Sequence, residues 1–167
     1  KVMVIGSGPS GMEAARVAAM RGHNVTIYER GSKLGGLLPL AALLKDVEVS
    51  DIMALVKYFE IQFKKLGVMT KFGQKVDASV MDKIKPDVII IASGGKHAVP
   101  NIPGIEKKNV ISSAMLHEQL KSYLKYFSPQ TVEKLTKIWM PIGRRVIIIG
   151  GRIQGCEVAE FLAKRSR

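Results

Sequence analysis

Residues 1–29, KVMVIGSGPSGMEAARVAAMRGHNVTIYE, decide the fold of this chain. A short apolar run at residues 2–5 leads directly into a glycine-rich turn, and small and apolar residues then recur at helical spacing until Gly22. Residues 24–29 follow as a second buried strand, rich in β-branched and aromatic side chains. The stretch therefore predicts one βαβ unit, whose crossover should be right-handed.

The turn itself, GSGPSG at residues 6–11, has the glycine spacing of a dinucleotide-binding motif. Gly6 permits the tight turn, Gly8 has no side chain to block a pyrophosphate, and Gly11 lets helix and strand approach closely. The spacing alone is a weak indication, but Glu29 follows Gly6 by 29 − 6 = 23 residues, close to the roughly 20 expected for the acid that binds ribose. We therefore predict that the helix N-terminus holds the phosphates of a dinucleotide.

The next segments continue the alternation of helices and strands. Residues 31–45 are predicted to form a loop, because two adjacent glycines and a proline interrupt regular structure. Residues 51–66 carry the apolar stripe of a helix that packs on a sheet. Short strands are predicted at 68–72 and 75–78, and residues 86–95 predict a fully buried strand that enters a glycine turn. The predicted fold class is α/β, a Rossmann-like doubly wound sheet.

Residues 112–141 depart from this alternation and predict an inserted helical hairpin. Ser128 as a cap, with Pro129 at the first helical position, marks the start of its second helix. Tyr123, Tyr126, Phe127 and Trp139 give the hairpin more apolar surface than a linker needs. Two interpretations remain open: the hairpin packs on its own domain, or it docks with a neighbouring domain or subunit.

A second glycine turn at residues 150–155 follows the apolar run 146–149. Gly150 and Gly155 hold its first and third glycine positions, but Arg152 stands at the middle one. A side chain there obstructs the close approach of a pyrophosphate, although a guanidinium can also contact a phosphate as a cation. Because the chain ends before the roughly 30 residues of a βαβ unit are complete, we expect only the first βα unit of a truncated domain.

Composition indicates a soluble domain with one sizeable core rather than a disordered or disulfide-stapled chain. With 26 basic against 14 acidic residues, the net charge of +12 is interpreted as solvated surface that attracts phosphates, since no nucleic-acid-binding motif accompanies it. Nucleic acid is therefore not an expected partner. No apolar run approaches the roughly 20 residues that span a membrane, so a membrane is not an expected partner either. A single cysteine excludes an internal disulfide and favours a cytoplasmic setting.

The remaining reactive side chains give no catalytic constellation. Cys156 is expected to be a small packed side chain of the last helix rather than a reactive thiol. His23, His97 and His117 are scattered along the chain, so each is expected at the surface and no metal site is predicted.

Three segments carry a resemblance to a known family. Residues 2–38 look like the FAD-binding start of the two-dinucleotide-binding flavoproteins, in which Gly-x-Gly-Pro-x-Gly is followed by a Glu-Arg or Glu-Lys pair and a Gly-Gly loop. Residues 92–94 resemble their later Ala-Thr-Gly element, and residues 139–151 are similar to enoate-reductase-like members. In particular, the chain resembles the C-terminal FAD/NAD(P)-binding module of old-yellow-enzyme-like multidomain flavoproteins: 2-enoate reductase, 2,4-dienoyl-CoA reductase and trimethylamine dehydrogenase.

This resemblance implies three regions: an FAD-binding Rossmann-like domain at 1–111, the helical hairpin insertion at 112–141, and the start of a truncated NAD(P)-binding domain at 142–167. It implies a fragment of a flavin-dependent oxidoreductase, in which FAD accepts hydride from NAD(P)H and relays electrons to a catalytic domain that reduces an enoate or similar acceptor. That domain is expected upstream, as an FMN-binding barrel with an iron–sulfur cluster. We expect the isolated fragment to be inactive and to hold FAD weakly, or by its ADP half only, because it lacks the family's later Gly-Asp segment.

The motifs and the resemblance together predict cofactor-binding residues but no catalytic or metal-binding ones. The residues predicted to bind FAD are Gly6, Ser7, Gly8, Pro9, Ser10, Gly11, Glu29, Arg30, Gly35, Gly36, Leu37, Val76, Ala92, Ser93 and Gly94. Those predicted to bind the nicotinamide nucleotide are Gly150, Gly151 and Gly155. The family's disulfide reductases carry a cysteine pair after the Gly-Gly loop; this chain has none, so thiol chemistry is not expected.

Two alternative functions stay open at this point. The chain is also compatible with a non-catalytic module that binds ADP or FAD and docks to another domain, an interpretation that Arg152 favours. A stand-alone NADH oxidase or a ferredoxin-reductase-like enzyme of the same superfamily is the other alternative. The sequence does not distinguish NAD from NADP and leaves the oligomeric state open.

Overall fold

The computed structural model describes residues 1–45, 49–95, 98–138, 142–143 and 145–165. The chain divides into two compact units. The first contains Lys1–Leu38 and Asp51–Lys96, and the second contains Pro39–Ser50 and His97–Arg167. None of the helices in the described ranges combines the length and hydropathy that crossing a membrane requires. The predicted three-part division, with boundaries at 111 and 141, stays a prediction about the organisation of the whole protein.

The first unit contains a parallel sheet of four strands in the order β3-β2-β1-β4. The strands are β1 (Val2–Ile5), β2 (Val25–Tyr28), β3 (Met69–Lys71) and β4 (Val88–Ile91). The chain moves outward from β1 to β3 and then returns to the other side of β1 as β4. This reversal next to β1 is the doubly wound topology that the alternating pattern predicted, and the fold class is confirmed.

Four helices connect or follow these strands: α1 (Pro9–Met20), α2 (Leu38–Lys45), α3 (Val49–Leu66) and α4 (Ala78–Ile84). Helix α1 starts at Pro9, where a missing N–H costs no helical hydrogen bond. It ends at Met20, Arg21 is its C-cap, and Gly22 follows in the left-handed conformation with φ 84°. The strand, turn and helix predicted from residues 1–22 are therefore confirmed.

The core of the first unit lies between one face of the sheet and helices α1 and α3. Val4 and Ile27 on the strands, and Met12 and Ala15 on α1, are fully buried there. The stripe predicted on residues 51–66 is confirmed, because Val56, Phe59 and Phe63 are buried in the same cluster. Burial of such side chains stabilises the unit by roughly 1.5 to 3 kcal/mol each.

Three local predictions for residues 31–95 are wrong. Residues 38–45 form α2 rather than loop, because Pro39 lies in the first turn, where it is tolerated, and good helix formers follow. Residues 75–78 do not form a strand, since the Asp77 carboxylate caps α4 by accepting a hydrogen bond from the Val80 N–H at 3.1 Å. β4 is not fully buried: it lies at the sheet edge, and Ile91 is 76% exposed.

The second unit contains the predicted helical hairpin, formed by α5 (Ser113–Tyr126) and α6 (Pro129–Ile138). Ser112 caps α5 through the Met115 N–H at 3.2 Å. Ser128 caps α6 through the Thr131 N–H, also at 3.2 Å, as its position before Pro129 predicted. Residues 139–141, including Trp139, lie outside the described residues.

A second apolar cluster holds this unit together. It joins the hairpin to residues of α2 and of a last helix, α7 (Ile153–Ala163), and its buried members are Leu40, Leu116, Leu120, Val132, Phe161 and Leu162. These contacts support the interpretation that the hairpin packs on its own domain. Tyr126 and Ile138 nevertheless remain 76% and 81% exposed, so the docking interpretation keeps an apolar surface to act through.

The helix of the predicted second βα unit is present as α7, but residues 146–150 form no strand. A strand is defined by hydrogen bonds to a neighbour, and none of the strands in the described residues pairs with this segment. Ile147 is accordingly 91% exposed.

Candidate functional site

The first glycine turn is shaped by close contacts between backbone atoms. Gly6 has φ 100°, and its N–H donates to the Tyr28 carbonyl at 2.8 Å. A Cβ atom on Gly6 would overlap the carbonyl of Ala92, and a Cβ atom on Gly11 would overlap the carbonyl of Gly6. The fold itself therefore requires glycine at these two positions.

The middle glycine has no such requirement. Gly8 has φ −69° and ψ 179°, a conformation that any residue adopts, and a Cβ on it would meet no described heavy atom within 4 Å. Gly8 is also the N-cap of α1, and because Pro9 has no N–H, Ser10 and Gly11 carry the first donors of the helix. The space beside Gly8 is thus open and lies at the positive end of the helix dipole, where anions bind.

Glu29 is held at the end of β2 by three donors. Its Oε2 accepts hydrogen bonds from the Ser7 hydroxyl at 2.7 Å and from the Ser7 N–H at 2.9 Å. Its Oε1 accepts from the Gly31 N–H at 2.7 Å. The acid predicted to bind ribose is therefore tied directly to the glycine turn.

These donors keep the Glu29 carboxylate ionised. Partial burial alone would raise its pKa, but the hydrogen bonds from Gly31 and Ser7 and the nearby Arg30 charge together lower the pKa below the ordinary value of 4.5. The side chain is thus an acceptor near neutral pH, which suits a partner that offers hydroxyl groups.

The Gly-Gly loop packs against the first turn. The Gly35 N–H donates to the Ser7 carbonyl at 2.9 Å. Gly36 has φ 57°, and a Cβ on it would lie 2.8 Å from the Gly8 Cα, so a side chain there would collide with the turn. Leu37 follows and is 44% exposed, while Arg30 is exposed at the start of the loop.

The segment after β4 also lies at the carboxyl ends of the strands, beside the first glycine turn. The Ala92 N–H donates to the Ile5 carbonyl at 2.8 Å, and the Ala92 Cβ lies 3.2 Å from the position of a Cβ on Gly11. Ser93 and Gly94 follow, both exposed, and Gly94 has φ 83°. The carboxyl ends of β1 and β4 thus meet, which is where ligands bind in open parallel sheets.

The structure adds residues that sequence reasoning missed. The Gln74 N–H donates to the Glu29 carbonyl at 3.0 Å, and the Gly73 N–H donates to the Gly31 carbonyl at 2.9 Å. These bonds place residues 73 and 74 beside the end of β2. Val76, which the resemblance predicted, follows two residues later and is half-buried. The signal that could have found them is a glycine shortly after each strand: Gly31 lies three residues beyond β2, and Gly73 lies two residues beyond β3.

The second glycine turn repeats the backbone of the first. Gly150 has φ 116°, and a Cβ on Gly155 would overlap the Gly150 carbonyl. Arg152 is the N-cap of α7 with φ −76° and ψ 175°, close to the values of Gly8, and its exposed side chain makes no capping bond. Gly151 is exposed as well. Arginine therefore fits the middle position without backbone strain, and its side chain starts where the first turn is open.

Among the described residues, the other reactive groups form no cluster at either turn. Cys156 is exposed, with its Sγ 3.5 Å from the Gly151 carbonyl, so the prediction of a packed side chain is wrong. His23 is exposed and His117 is half-buried, whereas His97 lies outside the described residues. Within the described ranges, no three His, Cys, Asp or Glu side chains lie close enough to hold a metal ion.

Comparisons with known proteins bear on this site. A family model described as pyridine nucleotide-disulphide oxidoreductase matches residues 1–167. The chain is 34% identical to the NADH oxidase of Thermoanaerobacter brockii over 99% of this chain and 23% of that protein. It is 33% identical to the bilirubin reductase of Mediterraneibacter gnavus, over 98% of this chain and 22% of the relative. It is 31% identical to the cinnamate reductase of Clostridium sporogenes, over 100% of this chain and 22% of the relative.

A solved structure gives the same picture. The chain superposes on 2-naphthoyl-CoA reductase in complex with 2-naphthoyl-CoA with a TM-score of 0.79 at 33% identity, covering 100% of this chain and 22% of that one. The chain thus spans 22% to 23% of the length of these relatives. FAD and NAD(P)H are the cofactors used by the matched family and by the flavin reductases among the relatives. The resemblance to enoate-reductase-type flavoproteins is confirmed.

Two substitutions test which glycines of the first turn are required for folding. Gly11→Ala should lower the free energy of unfolding by about 3 kcal/mol, because its Cβ overlaps the Gly6 carbonyl. Gly8→Ala should lower it by at most about 1 kcal/mol, the cost of a poorer N-cap, since its Cβ meets open space. Denaturant unfolding of both variants measures the difference, and equal losses would contradict this geometry.

The lowered pKa of Glu29 predicts how stability depends on pH. A carboxylate whose folded pKa lies below 4.5 contributes stability that is complete above pH 4.5 and is lost as pH falls through the folded value. We therefore expect Glu29→Gln to have a smaller loss of unfolding free energy than the wild type as pH is lowered below 4.5. Denaturant titrations across this range measure both curves, and parallel curves would refute the assignment.

Proposed function

We propose, on the premise that the chain belongs to the pyridine nucleotide-disulphide oxidoreductase family, that it is the nucleotide-binding part of an FAD-dependent NAD(P)H oxidoreductase. In this proposal the first turn and its surroundings bind FAD, and the second turn begins the site for NAD(P)H. Electrons then pass to a catalytic domain elsewhere in the full-length protein, an FMN-binding barrel with an iron–sulfur cluster, which reduces an enoate or similar acceptor.

The observation that carries the proposal is the contrast among the three glycines of the first turn. Folding requires Gly6 and Gly11, but it does not require Gly8, whose missing side chain leaves space in front of α1. An absent side chain that the fold does not need is explained by a ligand that approaches the backbone. A pyrophosphate is such a ligand, because it needs donors at close range and a favourable dipole.

The residues around this space have distinct proposed roles. The Ser10 and Gly11 N–H groups would hold the pyrophosphate, and Glu29 would accept a hydrogen bond from a ribose hydroxyl. The remaining predicted contacts come from the loop and strand ends at this edge, namely Ser7, Gly8, Pro9, Arg30, Gly35, Gly36, Leu37, Val76, Ala92, Ser93 and Gly94. When bound, FAD supplies the group that accepts hydride, while these residues bind and orient it.

The names of the relatives guide the choice of acceptor. One relative is a cinnamate reductase, and the superposed structure is a 2-naphthoyl-CoA reductase bound to 2-naphthoyl-CoA. From these names we propose that the full-length protein reduces an enoate or a similar conjugated acceptor. Since the chain spans about a fifth of such relatives, the acceptor site is proposed for the rest of that protein.

A non-catalytic docking module is the competing function, and two observations favour it. Arg152 fills the position that is open in the first turn. Tyr126 and Ile138 on the hairpin remain largely exposed. In that case a bound nucleotide would be a structural ligand and the hairpin would contact a partner.

Anaerobic reduction of the full-length protein separates these two functions. We expect NADH or NADPH to bleach the visible absorbance of the bound flavin, because the proposed electron path begins at the nicotinamide. Dithionite serves as the control that the flavin is reducible. A flavin that is bleached by dithionite but by neither NADH nor NADPH would favour the docking module. Protein that purifies without flavin would contradict FAD both as the electron carrier and as the structural ligand.

Substitutions of Arg152 test how the second turn binds its nucleotide with Gly150, Gly151 and Gly155. Arg152→Ala keeps the obstructing Cβ and removes the cation, so it should weaken NAD(P)H binding about tenfold, the value of one hydrogen bond to a charged group. Arg152→Gly also permits close approach of the phosphate and should bind more tightly than Arg152→Ala. Stopped-flow reduction of the flavin at varied nucleotide concentration gives the two Kd values, and wild-type affinity in Arg152→Ala would exclude a phosphate contact.

A further inference from the structure

Ser7 connects the glycine turn to the two segments that flank it. Its side chain is completely buried, and its hydroxyl donates to Glu29 Oε2 at 2.7 Å. Its N–H donates to the same oxygen at 2.9 Å, and its carbonyl accepts from the Gly35 N–H at 2.9 Å. One residue thus fixes both the acid after β2 and the Gly-Gly loop.

The glycine motif does not account for a serine at this position. The spacing constrains residues 6, 8 and 11, whereas the residue between the first two glycines is free to vary. In the second turn the corresponding residue is Gly151, which is exposed. A buried hydroxyl without an acceptor would cost roughly 1 to 3 kcal/mol, so Ser7 and Glu29 are mutually dependent in this turn.

The hydrogen bonds from Ser7 occupy one of the two carboxylate oxygens of Glu29. A carboxylate offers about four lone-pair positions, two on each oxygen. Ser7 fills both positions of Oε2 with its N–H and its hydroxyl, and the Gly31 N–H fills one position of Oε1. Among the described residues, the acceptor position left for a ligand is therefore on Oε1.

We propose that Ser7 is the positioning residue of the ribose site: it commits Glu29 Oε2 to the turn and leaves Oε1 to accept one hydroxyl of the adenosine ribose. This inference rests on the proposed binding of FAD at the first turn. It adds that Glu29 contacts one ribose hydroxyl rather than two, and that Ser7 sets which carboxylate oxygen makes the contact.

The charges around Glu29 support a test by pH. Arg30 follows it in the chain and lowers its pKa, after the hydrogen bonds from Gly31 and Ser7. Lys33 lies in the loop beyond, and from β3 the Lys71 ammonium lies over the Tyr28 ring at 5.5 Å from its centre. Removing the Ser7 hydroxyl takes one donor from the ionised carboxylate and leaves these charges in place, so the pKa of Glu29 should rise.

The first experiment measures ADP binding by calorimetry to the full-length protein stripped of nucleotide. Ser7→Ala should bind ADP about tenfold more weakly, because Glu29 loses a hydrogen bond that orients it. The pH below which affinity is lost should also move upward in this variant. Ser32→Ala, which removes an exposed hydroxyl from the neighbouring loop, is the matched control and should bind like the wild type.

The second experiment uses the wild-type protein and therefore does not depend on the folding of a variant. If Glu29 contacts one hydroxyl, either 2′-deoxy-ADP or 3′-deoxy-ADP should lose about tenfold in affinity, while the other analogue stays within about twofold of ADP. Equal losses for both analogues would overturn the single contact at Oε1.

A double-mutant cycle with Glu29→Ala tests that Ser7 acts through the carboxylate. In the Glu29→Ala background, Ser7→Ala should change ADP affinity by less than about twofold, whereas additive losses would overturn the positioning role. Wild-type binding by Ser7→Ala would overturn this inference and leave the proposed function intact. Absence of ADP and FAD binding by the wild-type protein would overturn the proposed function and this inference together.

Discussion

The contact between the Gly6 carbonyl and the backbone at Gly11 is the constraint on which the first unit depends. The carbonyl occupies the volume that a Cβ on Gly11 would fill, and this lets α1 start directly at the carboxyl end of β1. Because α1 begins there, its first N–H groups lie at the sheet edge where β2 and β4 also end. The open space beside Gly8 follows from this arrangement, and so does the path by which Ser7 reaches Glu29.

The same constraint recurs in the second unit, where the Gly150 carbonyl occupies the volume of a Cβ on Gly155. The two turns therefore share the positions that folding requires and differ at the position that folding leaves free, which is Gly8 in one and Arg152 in the other. Because folding leaves that position free, the difference between Gly8 and Arg152 concerns the ligand rather than the fold. For this reason the two turns are proposed to bind their nucleotides by different contacts within one oxidoreductase.

Much of the first unit was predictable from the sequence, because its signals are local. Glycine spacing, helical periodicity and the Gly22 stop act within a few residues, and the resulting strand, turn and helix are confirmed. Pro39 and Asp77 misled the prediction, because proline occurs both in loops and in the first turn of a helix, and the Asp77 carboxylate caps α4. The two Ser7 donors to Glu29 were not predictable, because Ser7 precedes Glu29 by 22 residues and meets it only through tertiary structure. The exposure of β4 depends on its edge position in the sheet, which its apolar run does not reveal.

The most direct test of the central claim is a crystal structure of the full-length protein with FAD bound. We expect phosphate oxygens within hydrogen-bonding distance of the Ser10 and Gly11 N–H groups, beside Gly8, and one ribose hydroxyl on Glu29 Oε1. A pyrophosphate bound elsewhere, with solvent in front of α1 and Glu29 free of the ribose, would contradict the central claim.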